Sequence, residues 1–385
     1  MNPKWPLSVF SNVLKPVRRV ERLSANAIYR TVGVKWYAQG LFHRDPLPGR
    51  DIKAKDLYRV AEGDLVYNRL FAWKGSFALA ENEHDGCYVS GEFPCFFIDR
   101  TKVHPKFVRW FTATPSFWQS VMDLSTGASR QSRLRLKEER FLSMTLPLPT
   151  MDEQERIVEM IEGVSARATE ATRLRETVES EREEMLRAFA RDLAKGAPRR
   201  PMHEVAPIIR RPVQIDKSAE YPELGIRSFG RGTFHKPPVA GATLGTKRLY
   251  RIEPGDLLFS NVFSWEGAIA VVQEADAGRF GSHRFITCVP NPTLATAEFL
   301  RCWLLTEEGM AHILEASPGA AGRNRTLGLK KLMAIPVPVP PLEEQKKLSE
   351  LCLKAAQARQ LQDSVTGELK LILPSLLDRA FSGDL

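Results

Sequence analysis

The chain has 385 residues, enough for two ordinary domains with connecting elements, and its 43% hydrophobic and 26% charged residues describe a globular rather than a disordered chain. No run approaches the roughly 18–20 apolar residues of a membrane span, and the start Met1-Asn-Pro-Lys-Trp-Pro is no signal peptide, so a cytoplasmic location without membrane partners is expected. The net charge is +9, and Cys87, Cys95, Cys288, Cys302 and Cys352 form no C-x-x-C pair, which favours scattered buried thiols over disulfides or zinc.

In chain order, residues 1–31 carry Trp5-Pro-Leu-Ser and a basic cluster, Lys15, Arg18, Arg19 and Arg22. Residues 32–100 read as short strands punctuated by glycine: Tyr58-Arg-Val, Asp64-Leu-Val-Tyr, Ser76-Phe-Ala-Leu-Ala and Pro94-Cys-Phe-Phe-Ile. Gly63-Asp64 suits a tight turn feeding a strand. The apolar spacing of three and four over residues 104–123 predicts a helix or helix pair, followed by the loop Ser125–Arg133 and a helix-like Leu134–Leu142. The second half repeats this order, with a helical Glu298–Glu315 and a matching loop, Ser317–Arg325. Each globular part therefore reads as a mixed α+β domain of about 145 residues.

Two long helices complete the pattern. Leu146-Pro-Leu-Pro leads into the first, where Thr150 and Glu153 have the form of a capping box and Gly196-Ala-Pro198 stops the helix. Its apolar residues Ile157, Ile161, Val164, Ala168, Ala171, Val178, Met185 and Phe189 follow a 4-3-4-3 spacing. Pro336-Val-Pro-Val-Pro-Pro leads into the second, whose stripe includes Leu348, Leu361, Val365 and Leu369, and in which Pro374 should kink or interrupt the last turns. Each stripe is narrow, and each helix is too long to pack only on its own domain. An intramolecular antiparallel or crossed coiled coil would bury both seams; two separate oligomerisation arms are the plainer possibility.

Sliding the chain by 192 residues aligns Val32–Ala78 with Leu224–Ala270 without a gap, with 17 identities in 47 positions. His43/His235, Tyr58/Tyr250, Asp64/Asp256, Phe71/Phe263 and Trp73/Trp265 are among them. The predicted organisation is α+β, with two tandem-duplicated mixed domains at 1–146 and 197–335 and spacer helices at 147–196 and 336–385. Residues 151–196 carry a charge of −4 and residues 340–385 a charge of −1, so the remainder holds +14. A basic excess confined to the globular parts suits contact with a polyanion.

No catalytic constellation is present: no G-x-G-x-x-G after a strand, no P-loop, no G-x-S-x-G and no metal-ligand histidine spacing, so neither catalytic nor metal-binding residues are assigned. Candidates for nucleic-acid contact are Ser129, Arg130, Gln131 and Arg133 in the first loop and Arg323, Asn324 and Arg325 in the second, whose side chains carry the donor patterns used on phosphates and base edges. A solvated loop is the equal alternative. The paired stretches Tyr67–Lys74 and Phe259–Glu266 keep their apolar positions and differ at polar ones, Asn68/Ser260, Arg69/Asn261 and Lys74/Glu266, as two heads with one scaffold and different reading edges would. Trp73 and Trp265 fit a core role better than base stacking.

The two proline segments followed by acidic-Glu-Gln, the helix stripes, Gly63-Asp-Leu-Val-Tyr with Trp73-Lys-Gly75, Gly127-Ala-Ser-Arg130 and the end Leu376-Leu-Asp-Arg-Ala-Phe-Ser-Gly-Asp-Leu resemble, over the whole chain, the specificity (S) subunit of type I restriction–modification systems. The resemblance implies a non-catalytic subunit whose heads are target recognition domains, each reading one half of a bipartite duplex DNA sequence. It implies spacer helices in an antiparallel coiled coil that sets the gap and docks two methyltransferase subunits, through residues such as Ile157, Ile161, Val164, Val178, Met185, Leu348, Leu361, Val365 and Leu369. It implies no cofactor on this chain, with S-adenosylmethionine on the methyltransferase, and restriction/translocase subunits as further partners. This sequence departs from many members in being shorter and in having unusually similar heads. The alternative is a coiled-coil scaffold or accessory DNA-binding protein of a related phage-defence system.

Overall fold

The computed structural model describes residues 5–125, 134–319 and 325–383, without the side chains of residues 363–366, 368 and 370. Its helices are α1 (Pro105–Phe111), α2 (Pro115–Leu124), α3 (Glu138–Ser143), α4 (Met151–Ala194), α5 (Met202–Val205), α6 (Ala297–Leu304), α7 (Glu307–Ala316), α8 (Leu329–Met333) and α9 (Leu342–Ser382). The chain divides into two compact units: residues 1–173 with 364–385, and residues 174–363. Each long helix therefore begins in one unit and ends in the other. Among the described residues, no helix is long and apolar enough to cross a membrane.

In the first unit short apolar runs form a four-stranded antiparallel sheet in the order Phe77–Leu79, Leu65–Tyr67, Cys95–Ile98, Leu14–Val17. A three-stranded sheet of Tyr88–Val89, Asp56–Arg59 and Val20–Arg22 lies beside it in sequence. Phe10, Tyr67, Phe77, Phe96, Phe107 and Phe141 fill the core with α1, α2 and α3. Ile157, Val158 and Ile161 of α4 and Leu377 and Ala380 of α9 close it, and Phe381 meets Phe107 and Phe111 edge-on at 5.1 and 5.3 Å. The strand Leu7–Val9 pairs with Thr145–Pro147, fastening the chain start to the approach to α4.

The second unit repeats these parts: the sheet Ile269–Val271, Leu257–Ser260, Phe285–Cys288, helices α6, α7 and α8, and the pair Arg199–Pro201 with Pro336–Pro338. Its second sheet is larger, five strands including the long hairpin Glu220–Ile226 and Thr233–Ala240. Leu186, Ala190 and Ala194 at the end of α4 and Leu348 near the start of α9 join its core. Thus α4 and α9 run antiparallel in both units, start of one beside end of the other.

The glutamine after each proline segment explains that motif. Gln154 is fully buried; its Oε1 accepts from the His104 backbone N–H at 2.8 Å and its Nε2 donates to the Pro149 carbonyl at 2.9 Å. Gln345 does the same in the second unit, accepting from Thr296 N–H at 3.0 Å and donating to the carbonyls of Leu294 and Pro340. Each long helix is thereby tied at its first turn to its own head, and burial without these bonds would leave backbone groups unsatisfied.

The expected helix from Met151 to Gly196 is observed to end at Ala194, with Gly196 at φ +71°. Pro374 does not interrupt α9, which runs on to Ser382; near a helix end the lost hydrogen bond is offset by the packing of Leu377 and Ala380. The predicted Glu298–Glu315 helix is two, broken at Thr306, whose hydroxyl caps α7 by accepting from Gly309 N–H. The Leu134–Leu142 helix is shorter, as α3.

Candidate nucleic-acid interface

In the first head the strand Leu65–Tyr67 runs into a turn that ends at Gly75, whose φ is +67°. A Cβ there would lie 2.3 Å from the Trp118 ring, so only glycine fits. The turn is stitched internally: Asn68 Oδ1 accepts from Leu70 N–H at 3.0 Å, and Trp73 donates its indole N–H to the Leu70 carbonyl at 3.1 Å. The second head builds the same turn around Gly267, φ +74°, with Trp265 donating to Val262 at 2.9 Å. Both tryptophans thus brace a turn and are half-buried, where the sequence favoured a core role over base stacking.

Two further segments dock on this turn in each head. Tyr37 and Ala38 donate backbone N–H groups to the carbonyls of Lys74 and Gly75, both at 2.8 Å. Phe229 and Gly230 do likewise to Glu266 and Gly267, at 2.7 and 2.8 Å. The chain leaving each predicted arginine loop returns to the same place: Leu136 N–H to the Arg69 carbonyl at 3.0 Å, and Leu327 N–H to Asn261 at 2.8 Å. Three stretches far apart in sequence therefore converge on one edge of each head.

The predicted contact residues fall on this edge with different availability. Arg69 is engaged by Glu138, the acid at the start of α3, and Lys74 lies with its Nζ 3.9 Å from the Trp36 ring centroid. Asn68 is half-buried. Ser260 is buried, its carbonyl accepting from the Ser264 hydroxyl, so it presents no side chain to a ligand. Asn261 is held by its backbone, and Arg325 lies over the Trp265 ring at 5.6 Å. Ser129, Arg130, Gln131, Arg133, Arg323 and Asn324 lie outside the described residues. Sequence reasoning missed Trp36, Tyr37 and Phe229, which sit at the exposed tip; the aromatic match of Tyr37 with Phe229 across the 192-residue shift was the available signal.

Ion pairs between a buried carboxylate and a half-exposed arginine hold the strands behind each edge. Arg19 grips buried Asp64 through both terminal nitrogens, at 2.5 and 3.2 Å, and Arg211 grips Asp256 at 2.7 and 3.1 Å, again 192 residues on. The hydrogen bond and charge of the carboxylate push each guanidinium pKa further up. Both carboxylates also accept a backbone N–H, from Ala61 and Glu253, which shapes the turn before the central strand. Burial pushes the Cys95 thiol up to about 12, with the Asp64 carboxylate adding to it.

His43, Glu83 and His84 bring possible ligand atoms within 4.8 Å of one another. The donor set does not fit a metal ion, because His84 Nδ1 accepts the Glu81 backbone N–H at 3.2 Å and so leaves the proton on Nε2. The second head has an ordinary pair there, His235 Nε2 on Asp276 at 3.0 Å.

On the long helices, Ile157, Ile161 and Leu348 are fully buried and Val164 and Leu369 half-buried. Val178 is exposed, as are Met185 at 56% and Leu361 at 72%, whereas Leu186 is 2% exposed. The side chain of Val365 lies outside the described set. In the second unit Glu179 of α4 pairs with Arg359 of α9 at 3.1 Å, and Arg182 donates to Gln362.

No family model and no curated protein matches the chain. Among solved structures, one chain from a structure titled for complex assembly and conformational transition of the type I R-M system matches all of this chain and 99% of its own length, with 19% identity and a TM-score of 0.62. The chain has the type I S-subunit fold. The HsdS subunit from Thermoanaerobacter tengcongensis matches over 100% and 98% of the two chains, at 20% identity and a TM-score of 0.47. The S subunit of a type I system from M. genitalium matches over 99% and 96%, at 13% identity and 0.45. The S-subunit fold accommodates the observed elements: two α+β heads of like construction and a pair of antiparallel helices.

Proposed function

We propose that this chain is the non-catalytic DNA-recognition subunit of a type I restriction–modification complex. Each head reads one half of a bipartite duplex target, and the helices dock two methyltransferase subunits that carry S-adenosylmethionine. Restriction/translocase subunits join the same complex. The observation that carries this reading is the convergence of three segments into the same edge in both heads, on a basic globular part. Two equivalent edges on duplicated scaffolds are what two half-sites require. The exposed apolar residues Val178, Met185 and Leu361 on the helices support protein docking away from the edges.

Because the heads align without gaps over 47 residues, the half-sites are expected to be related and inverted, giving a near-palindromic target. Mapping methylated adenines in cells carrying the chain and its partner methyltransferase tests this. Two related half-sites separated by a fixed gap are expected. Methylation without any shared sequence would overturn DNA reading and leave a coiled-coil scaffold.

A further inference from the structure

Among the described residues, the non-glycine residues with positive φ are Tyr37 (+56°), Ala38 (+53°) and Phe229 (+61°). All three lie in the same turn of the two heads, Tyr37 and Phe229 at equivalent positions 192 residues apart. A bulky aromatic in this region is a strained outlier, and glycine would occupy it without cost. Strain of this kind persists where the surroundings impose it and clusters at functional sites. Here the imposing contacts are the paired N–H bonds onto the Gly75 and Gly267 turns described above.

The strain does not serve burial. Tyr37 is 56% exposed, with its ring centroid 6.0 Å from that of Trp118, and Phe229 is 69% exposed, so the fold leaves much of each ring outward at the tip of the edge. The rings have cationic and aromatic neighbours. In the first head Trp36 lies beside Tyr37 and Phe71, at 6.5 and 5.1 Å between centroids, with the Lys74 ammonium over its face. In the second head the Arg231 guanidinium lies 5.9 Å from the Phe229 ring, and Phe263 is exposed at the start of the turn whose Glu266 carbonyl accepts from Phe229 N–H. An outward aromatic cluster with a cation over one of its rings, Lys74 over Trp36 and Arg231 over Phe229, suits a partner that offers a flat π-face inside a shell of negative charge.

We infer that Tyr37 and Phe229 are the residues by which each head contacts the base stack of duplex DNA, the ring pressing against or between bases while Lys74 and Arg231 meet the adjoining phosphates. This rests on the DNA-recognition reading and sharpens it. Apolar wedges inserted at base steps and aromatic platforms under bases are known means of gripping nucleic acid, and the stacking energy does not depend on hydrogen-bond readout. One ring per head gives one such contact per half-site.

The backbone conformation makes the test clean. Tyr37→Gly and Phe229→Gly remove the rings and relieve the strain, so thermal unfolding should be unchanged or shifted upward. Each variant, assembled with its methyltransferase partner, would be titrated against duplexes carrying the mapped target with 2-aminopurine placed at successive positions. Expected is a loss of affinity of tenfold or more for each variant. The fluorescence rise seen with the parent complex should vanish in the first half-site for Tyr37→Gly and in the second for Phe229→Gly. Affinity and fluorescence equal to the parent's would overturn the inference and leave DNA reading intact. Loss of methyltransferase co-purification would also overturn it, making the rings a protein-docking surface. A parent complex that prefers no duplex would instead refute the recognition reading itself.

Discussion

At the residue scale, the two buried glutamines show how a short motif fixes a long element. Gln154→Ala would strip partners from the His104 N–H and the Pro149 carbonyl, both inside the first unit. Orphaned buried groups of this kind cost about 2–4 kcal/mol in total. Urea unfolding should register that loss, and an unchanged midpoint would rule out the clamp. Cys95 sets a pH dependence. Its thiol stays protonated in the native chain to about 12, while in the unfolded chain it ionises from about 9. The unfolded state therefore binds fewer protons between these values, so stability is intact below pH 9 and falls by about 1.4 kcal/mol per unit above it. Cys95→Ala should make the decline between about pH 9 and pH 11 shallower; an identical slope would show that the buried thiol is not its source. These residues were only half legible in the sequence. The Glu-Gln motif was visible, yet its partners lie about 50 residues away in a different element, which no local pattern records.

At the element scale, periodicity carried the reading far and then drifted. The 4-3-4-3 spacing assigned Ile157 and Ile161 to a helix seam, and they are buried in the core of the first head; it then selected Met185, whereas the buried residue is Leu186. A repeat of 3.5 and a straight helix of 3.6 residues per turn part by about 20° per heptad, close to one residue after four heptads. Leu186→Ala should cost about 2–4 kcal/mol in urea unfolding, and Met185→Glu less than about 0.5. Met185→Glu should instead reduce co-purification with the methyltransferase. Equal destabilisation by both changes would return Met185 to the seam. Strands were legible from their apolar runs and glycine boundaries, but the edge they build was not. Tyr37 and Phe229 adopt a conformation their residue type disfavours, and tertiary hydrogen bonds impose it.

At the scale of the whole molecule, the repeat was the most legible feature because every level repeats with it. Strand pairs, capped turns, Arg19–Asp64 and Arg211–Asp256, and the glutamine clamps recur at or near the 192-residue shift. In the proposed complex the helices also measure the target. Inserting one heptad into α4 and one into α9 adds about 10 Å to each. At 3.4 Å per base pair, the gap between methylated half-sites should widen by about three base pairs. An unaltered gap in the methylation map would dismiss the helices as the ruler.

The division into units has a consequence for how the protein is made. The first head's core is closed by Leu377 and Ala380, with Phe381 on the rings of Phe107 and Phe111, yet these residues follow the whole of the second unit in the chain. At synthesis rates of about 5–20 residues per second, roughly 10–50 s separate α1 and α2 from the helix end that covers them. During that interval the nascent first head carries an uncovered aromatic face. Its folding is completed only after the second unit has been made, although its own sequence comes first. A chain halted before residue 364 should accordingly depend on chaperones in a way the finished protein does not.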